Sequence, residues 1–131
     1  MKTGERAREI HTRGYNCSQC VMASLSEYTG LDDDIAKSIC APFGGGMRTG
    51  EVCGAVSGAL MAMGMALAKD GNGGTGTTVS SCAKELQKQF KNEYGTERCA
   101  ELIKAADGHR RCDEFIAYCA EKAEKIINEN K

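Results

Sequence analysis

Apolar positions recur along the chain at three- and four-residue spacing, with almost no strict alternation, so the pattern predicts helices throughout and no strands. Residues 2–13 read as a short amphipathic helix with Ala7, Ile10 and His11 on one side. Gly14-Tyr15-Asn16 breaks it. Asn16 is placed to cap a second helix, Cys17 to Tyr28, because its side chain accepts from free backbone N–H groups. Val21, Leu25 and Tyr28, with Met22 alongside, form the apolar face of that helix. Gly30 ends it, and Asp32-Asp33-Asp34 opens a third, where acids suit the positive end of the helix dipole. Ile35, Ile39 and Cys40 form its apolar face, and Pro42 stops it.

A glycine-rich connection from Phe43 to Gly50 leads to a fourth helix, from about Glu51 to Lys69. Asp70 to Thr78 reads as a loop. A fifth helix runs from about Val79 to Tyr94 with Cys82, Leu86 and Phe90 in register, and Gly95 ends it. A short helix after Thr96 carries Cys99, Leu102 and Ile103, and Asp107-Gly108 breaks that. The last, from about His109 to Asn128, has Cys112, Phe115, Ile116, Cys119, Ala120, Ala123, Ile126 and Ile127 on one stripe and Glu and Lys opposite. No repeat of fixed period is visible. The expected fold is all-α: a single-domain bundle over residues 1–131, of about five to six helices around a central Gly/Ala/Met-rich helix.

Val52 to Ala68 is uncharged but rich in Gly, Ala, Met and Ser, and is shorter than the about 20 strongly apolar residues a spanning helix needs. It reads as a buried central helix. Net charge is -1, basic residues are interleaved with acids, and aromatics make up only 5%, which argues against a nucleic-acid surface. The polar N-terminus, Met1 to Arg8, shows no export signal, so this form is expected in the cytoplasm.

In that setting eight cysteines in 131 residues change the picture. Reduced thiols in such number point to metal binding or redox catalysis. Cys17, Cys53, Cys99 and Cys112 fall in first turns of expected helices, and Arg48, Arg98 and Arg111 lie near three of them. Helix N-termini and guanidinium groups both favour thiolates. Four thiolates around an iron–sulfur cluster carry net negative charge, which converging helix N-termini offset. Buried thiols also serve as small apolar side chains. Cys40, Cys82 and Cys119 lie on apolar faces and read as core. Cys17-Ser18-Gln19-Cys20 is a lone C-x-x-C with no preceding strand, and a zinc site would want a second pair or spaced histidines. The redox-thiol candidates are Cys17, Cys20 and Cys53. Gly50, Gly54 and Gly58 recur every fourth residue, which suits either a close helix neighbour or a cofactor against that face.

Asn16-Cys17, Phe43-Gly44-Gly45-Gly46-Met47, Val52-Cys53-Gly54-Ala55-x-x-Gly58, Tyr94-Gly95-x-x-x-Cys99-x-x-Leu102 and Cys112-x-x-Phe115-Ile116 together resemble the redox-active proteins named for the signature C…G-C-[AG]-x-x-G…C…C. The resemblance runs from about residue 8 to 127. It implies a small helical protein whose four signature cysteines correspond to Cys17, Cys53, Cys99 and Cys112, with Cys119 the rival for the last place. Some members carry a twin-arginine export signal, which is missing here. A related domain occurs in split-Soret-type cytochromes, where an iron–sulfur centre has been proposed. This chain has no C-x-x-C-H, so no c-type haem is expected.

Three functions follow. The first is electron transfer through an iron–sulfur cluster on the four cysteines, with Gly54 and Gly58 against it, to a partner oxidoreductase. The second is a thiol–disulfide enzyme or sensor. The third is a non-catalytic metal-binding or structural module. The glycine-rich helix and small size also allow a homodimer.

Overall fold

In a computed structural model the chain is described at residues 1–68, 77–105 and 108–131, without the side chains of residues 77 and 110. The expected loop from Asp70 to Thr78 lies largely outside the described residues, as do Lys69 and Asp107. The described residues form eight helices: α1 (Thr3–Thr12), α2 (Cys17–Ser24), α3 (Ser26–Thr29), α4 (Asp33–Cys40), α5 (Gly54–Leu67), α6 (Thr77–Tyr94), α7 (Cys99–Ala105) and α8 (Cys112–Asn130). Among the described residues there is no strand, only one isolated antiparallel bridge between Val52 and Arg98. No described helix is long and apolar enough to cross a membrane.

The eight helices exceed the expected five to six; they are the seven helical segments read along the chain, with the 17–28 segment divided at Leu25, which ends α2 and begins α3. The Asn16 cap forms as expected: the Gln19 N–H donates to Asn16 Oδ1 at 3.0 Å, and the Gln19 side chain accepts from the Asn16 N–H at 2.9 Å. This reciprocal box satisfies two backbone donors and fixes where α2 starts. Asp32 caps α4 through the Asp34 N–H at 3.1 Å. Gly30 takes the left-handed conformation that closes α3.

Helix α5 is central and packs against α2, α3, α6 and α8, burying Ala55, Val56, Ala59, Ala62 and Met63. The expected stripe on α8 is buried from Cys112 to Ile127. Phe90 and Tyr94 of α6 stack on Phe115 and Tyr118 of α8, with Phe90 and Phe115 centroids 5.8 Å apart, edge to face.

Two local expectations are corrected. Ile35 and Ile39 are 51% and 46% exposed, not core. The short α4 docks through Ala36 and Cys40 instead, and small side chains allow it close to α2. The fourth helix starts at Gly54 rather than Glu51, because residues 51–53 pair with 97–99: the Cys53 N–H donates to Glu97 O at 2.7 Å and the Cys99 N–H to Glu51 O at 2.6 Å. Gly50 therefore lies outside the helix, ending a five-residue turn, Gly46–Gly50, in which Met47 and Arg48 adopt left-handed φ of 60° and 65°.

Candidate functional site

Four helix starts meet at one place. The Asn16 cap makes Cys17 the first residue of α2, Cys53 is the N-cap of α5, Cys99 opens α7 and Cys112 opens α8. The paired backbone of 51–53 and 97–99 clamps Cys53 beside Cys99. Gly46 completes that wall: a Cβ there would sit 2.7 Å from the Cys99 Cβ and 2.6 Å from the Glu51 backbone. All four cysteines line a single cavity of about 20 Å³, together with Gly45, Gly54, Leu102, Ile103, His109 and Phe115. Larger clefts open at the surface, one of about 440 Å³ edged by Lys2, Arg6, Glu27, Glu121 and Glu124, but these gather ordinary solvated charges.

The thiols are not equivalent. A hydrogen bond between the Cys17 and Cys112 thiols is the largest influence on both. It pulls Cys112 below the usual thiol range, to about 6, helped by a hydrogen bond and charge from His109, while burial opposes. It pushes Cys17 up, and burial adds to that. Burial pushes Cys53 up to about 12, although the amides of Ala55 and Val56 pull it down. Burial also raises Cys99. Helix starts and nearby arginines are expected to favour thiolates, and in the metal-free chain only Cys112 is lowered, through Cys17 and His109. Removal from water is the main cause at Cys53 and Cys99, while at Cys17 the facing Cys112 thiol acts first and burial adds to it.

The arginines are engaged elsewhere. Arg48 Nη2 donates to Ala41 O at 2.9 Å. Arg98 reaches Glu51 and Glu101 at 3.6 and 3.9 Å. Arg111 pairs with Glu114 at 2.7 Å and lies over the rings of Tyr94 and Phe115.

The remaining cysteines stay outside the cavity lining. Cys20 is fully buried and its thiol donates to Tyr15 O at 3.5 Å, so the C-x-x-C pair splits between cavity and core. Cys40, Cys82 and Cys119 are buried in the core cluster. Cys119 lies near enough to feel Cys53 but does not reach the cavity. The two helical glycines separate as well. Gly54 lines the cavity, and a Cβ there would lie 3.2 Å from the Cys17 Cβ. Gly58 faces the α2 backbone, where a Cβ would meet Ser18 O at 2.6 Å. Close helix approach accounts for Gly58. His109, absent from the sequence-derived candidates, lines the cavity with Nδ1 3.4 Å from Cys112 Sγ. Its i, i+3 spacing to a signature cysteine was the available signal.

In number and kind, four thiols match an all-cysteine iron–sulfur donor set. The cavity holds about one water's volume, and among the described residues no three His, Cys, Asp or Glu side chains already stand in metal-ligating geometry. The donor set is thus of the kind that holds a cluster, while the space between the walls as they stand is about that of a single water.

The family model described as "Putative redox-active protein (C_GCAxxG_C_C)" matches residues 15–126. No curated protein and no solved structure matches the chain. The family match takes in all four cavity cysteines and the Cys53-Gly54-Ala55-x-x-Gly58 segment, and the chain belongs to the C_GCAxxG_C_C family.

Proposed function

We propose that the cavity is a redox centre in which Cys17, Cys53, Cys99 and Cys112 hold an iron–sulfur cluster, and that the protein passes electrons to a partner oxidoreductase. One observation carries this reading: four of the eight cysteines, each at the start of a different helix, line one cavity, and the other four do not. Chemistry needing only two thiols leaves the placement of Cys53 and Cys99 without a purpose. Three of the four thiols favour the protonated form while only protein surrounds them. A bound cation reverses that preference, because coordination deprotonates thiols outright. When bound, the cluster supplies one-electron chemistry. The chain's own part is to supply the sulfurs, to exclude water with Leu102, Ile103 and Phe115, and to aim positive helix ends at the accumulated charge. Gly45 and Gly54 leave that wall free of side chains.

The test is a set of single Cys→Ser variants made without oxygen, read by bound iron and acid-labile sulfide. Cys53→Ser and Cys99→Ser lose loading, and Cys82→Ser keeps it. Normal loading in Cys53→Ser with loss in Cys40→Ser overturns the assignment.

A second reading is favoured by the shared placing of Cys17 and Cys112 in the cavity wall, where each is the strongest influence on the other's titration. The Cys112 thiolate would attack a substrate disulfide, giving a mixed disulfide and one released thiolate. Cys17 would then lose its proton and attack Cys112 Sγ, closing a Cys17–Cys112 disulfide and releasing the substrate as a dithiol. Under this reading Cys53→Ser and Cys99→Ser retain disulfide reductase activity, and Cys112→Ser abolishes it.

A further inference from the structure

We propose that His109 is a positioning residue of the four-thiol centre, its Nδ1–H donating a hydrogen bond to the Cys112 sulfur and holding negative charge there. Local geometry brings the two together. Gly108 has φ 90° and ψ -150°, a conformation essentially reserved for glycine, and it starts a 3-10 turn over His109–Arg111 that ends on Cys112. In a 3-10 turn the side chains at i and i+3 eclipse, so this turn stacks the imidazole on the thiol. The resulting Nδ1–Sγ separation is 3.4 Å, and His109 lines the cavity itself. His11, the other histidine, has its Nδ1 3.1 Å from Asp113 Oδ1, and Arg8 holds the same carboxylate at 2.7 Å. Cys112 also feels the Cys17 thiol and, more weakly, the charge of His11. Hydrogen bonds to cluster sulfurs stabilise the more electron-rich state and raise the potential. In the metal-free chain the same donor favours the thiolate over the thiol.

Two measurements read this bond. The first needs no cluster: the reduced, metal-free chain is treated with iodoacetamide at neutral pH, and modification of Cys112 is followed by peptide mass. His109→Ala and His109→Leu slow it by about tenfold, and His109→Asn, which keeps an N–H donor near the Nδ1 position, restores most of the rate. Far-ultraviolet circular dichroism checks that the variants fold. Equal rates in the wild type and both donor-free variants overturn the proposal. The second measurement rests on the cluster reading. In the loaded protein, His109→Ala lowers the midpoint potential by about 59 mV, a tenfold shift for a one-electron couple, and His109→Asn brings it back. An unchanged potential in His109→Ala overturns the role. A wild-type chain that loads no cluster refutes the earlier reading instead, and the alkylation rates alone then decide on His109.

Discussion

Two glycines on α5 should respond to the same substitution with opposite signs. Replacing glycine by alanine inside a helix normally stabilises by about 0.8–1 kcal/mol, through backbone entropy. At Gly64 no heavy atom lies within 4 Å of the new methyl, so Gly64→Ala should gain the full amount. At Gly58 the methyl meets Ser18 O at 2.6 Å, Ser18 Cα at 3.1 Å and Ser18 C at 3.2 Å. All three are backbone atoms of α2, which cannot turn aside as a flexible side chain could. Carbon atoms in favourable contact sit about 3.5–4.0 Å apart, so α2 and α5 must separate. Overpacking of this kind costs about 1–3 kcal/mol, which offsets the helix gain and leaves Gly58→Ala less stable by up to about 2 kcal/mol. Urea unfolding of the reduced, metal-free protein measures both variants, with a constant m-value showing that only stability has changed. The midpoint should rise for Gly64→Ala and fall for Gly58→Ala. A Gly58→Ala protein as stable as the wild type refutes the close-approach explanation. Loss of stability in both variants refutes the open surroundings of Gly64.

Other consequences follow from the same packing and charge. In the metal-free protein Cys112 should alkylate first, with a half-point near pH 6, and Cys17→Ala, which removes the donor, should move that half-point upward, since Cys17 is its largest cause; a half-point near the ordinary 9.0 in the wild type contradicts the pairing. Cys53 has a folded-state pKa raised by burial to about 12 from the ordinary 9.0. Its contribution to stability is therefore complete below pH 9.0 and lost as pH rises toward 12. Urea midpoints that fall over that range, and fall less in Cys53→Ala, check it. Phe90 is fully buried against Tyr94, Phe115 and Tyr118, so Phe90→Ala should cost about 3–5 kcal/mol by the same unfolding assay.

The elements that local chemistry determines were readable from the chain. Asn16 with Gln19 is a capping box written in the sequence, and it fixes Cys17 at a helix start. The stripe on α8 emerges buried as its spacing demands. Cys17, Cys53, Cys99 and Cys112 were singled out by their places after caps and glycines and by the family signature. Long-range pairing was not readable. The bridge between Val52 and Arg98, which delays α5 and sets Cys53 beside Cys99, depends on segments far apart in the chain. Arg111 looked like a thiolate partner because it precedes Cys112, yet Glu114 one turn on claims it. The thiol charges were misjudged for a similar reason. Dipole and neighbour effects can be guessed from sequence, but the depth of burial that overrides them at Cys53 and Cys99 is a tertiary quantity. Ile35 and Ile39 show the same limit: a two-turn helix with one small-residue edge docks on that edge, whatever its larger side chains favour.

The most direct test of the central claim is the visible absorption spectrum of the protein purified without oxygen, with iron and acid-labile sulfide assayed on the same sample. The account predicts a coloured protein with matched iron and sulfide, both lost on Cys53→Ser. A colourless, iron-free protein with all its thiols free, after expression with iron supplied and cluster assembly supported, would contradict it.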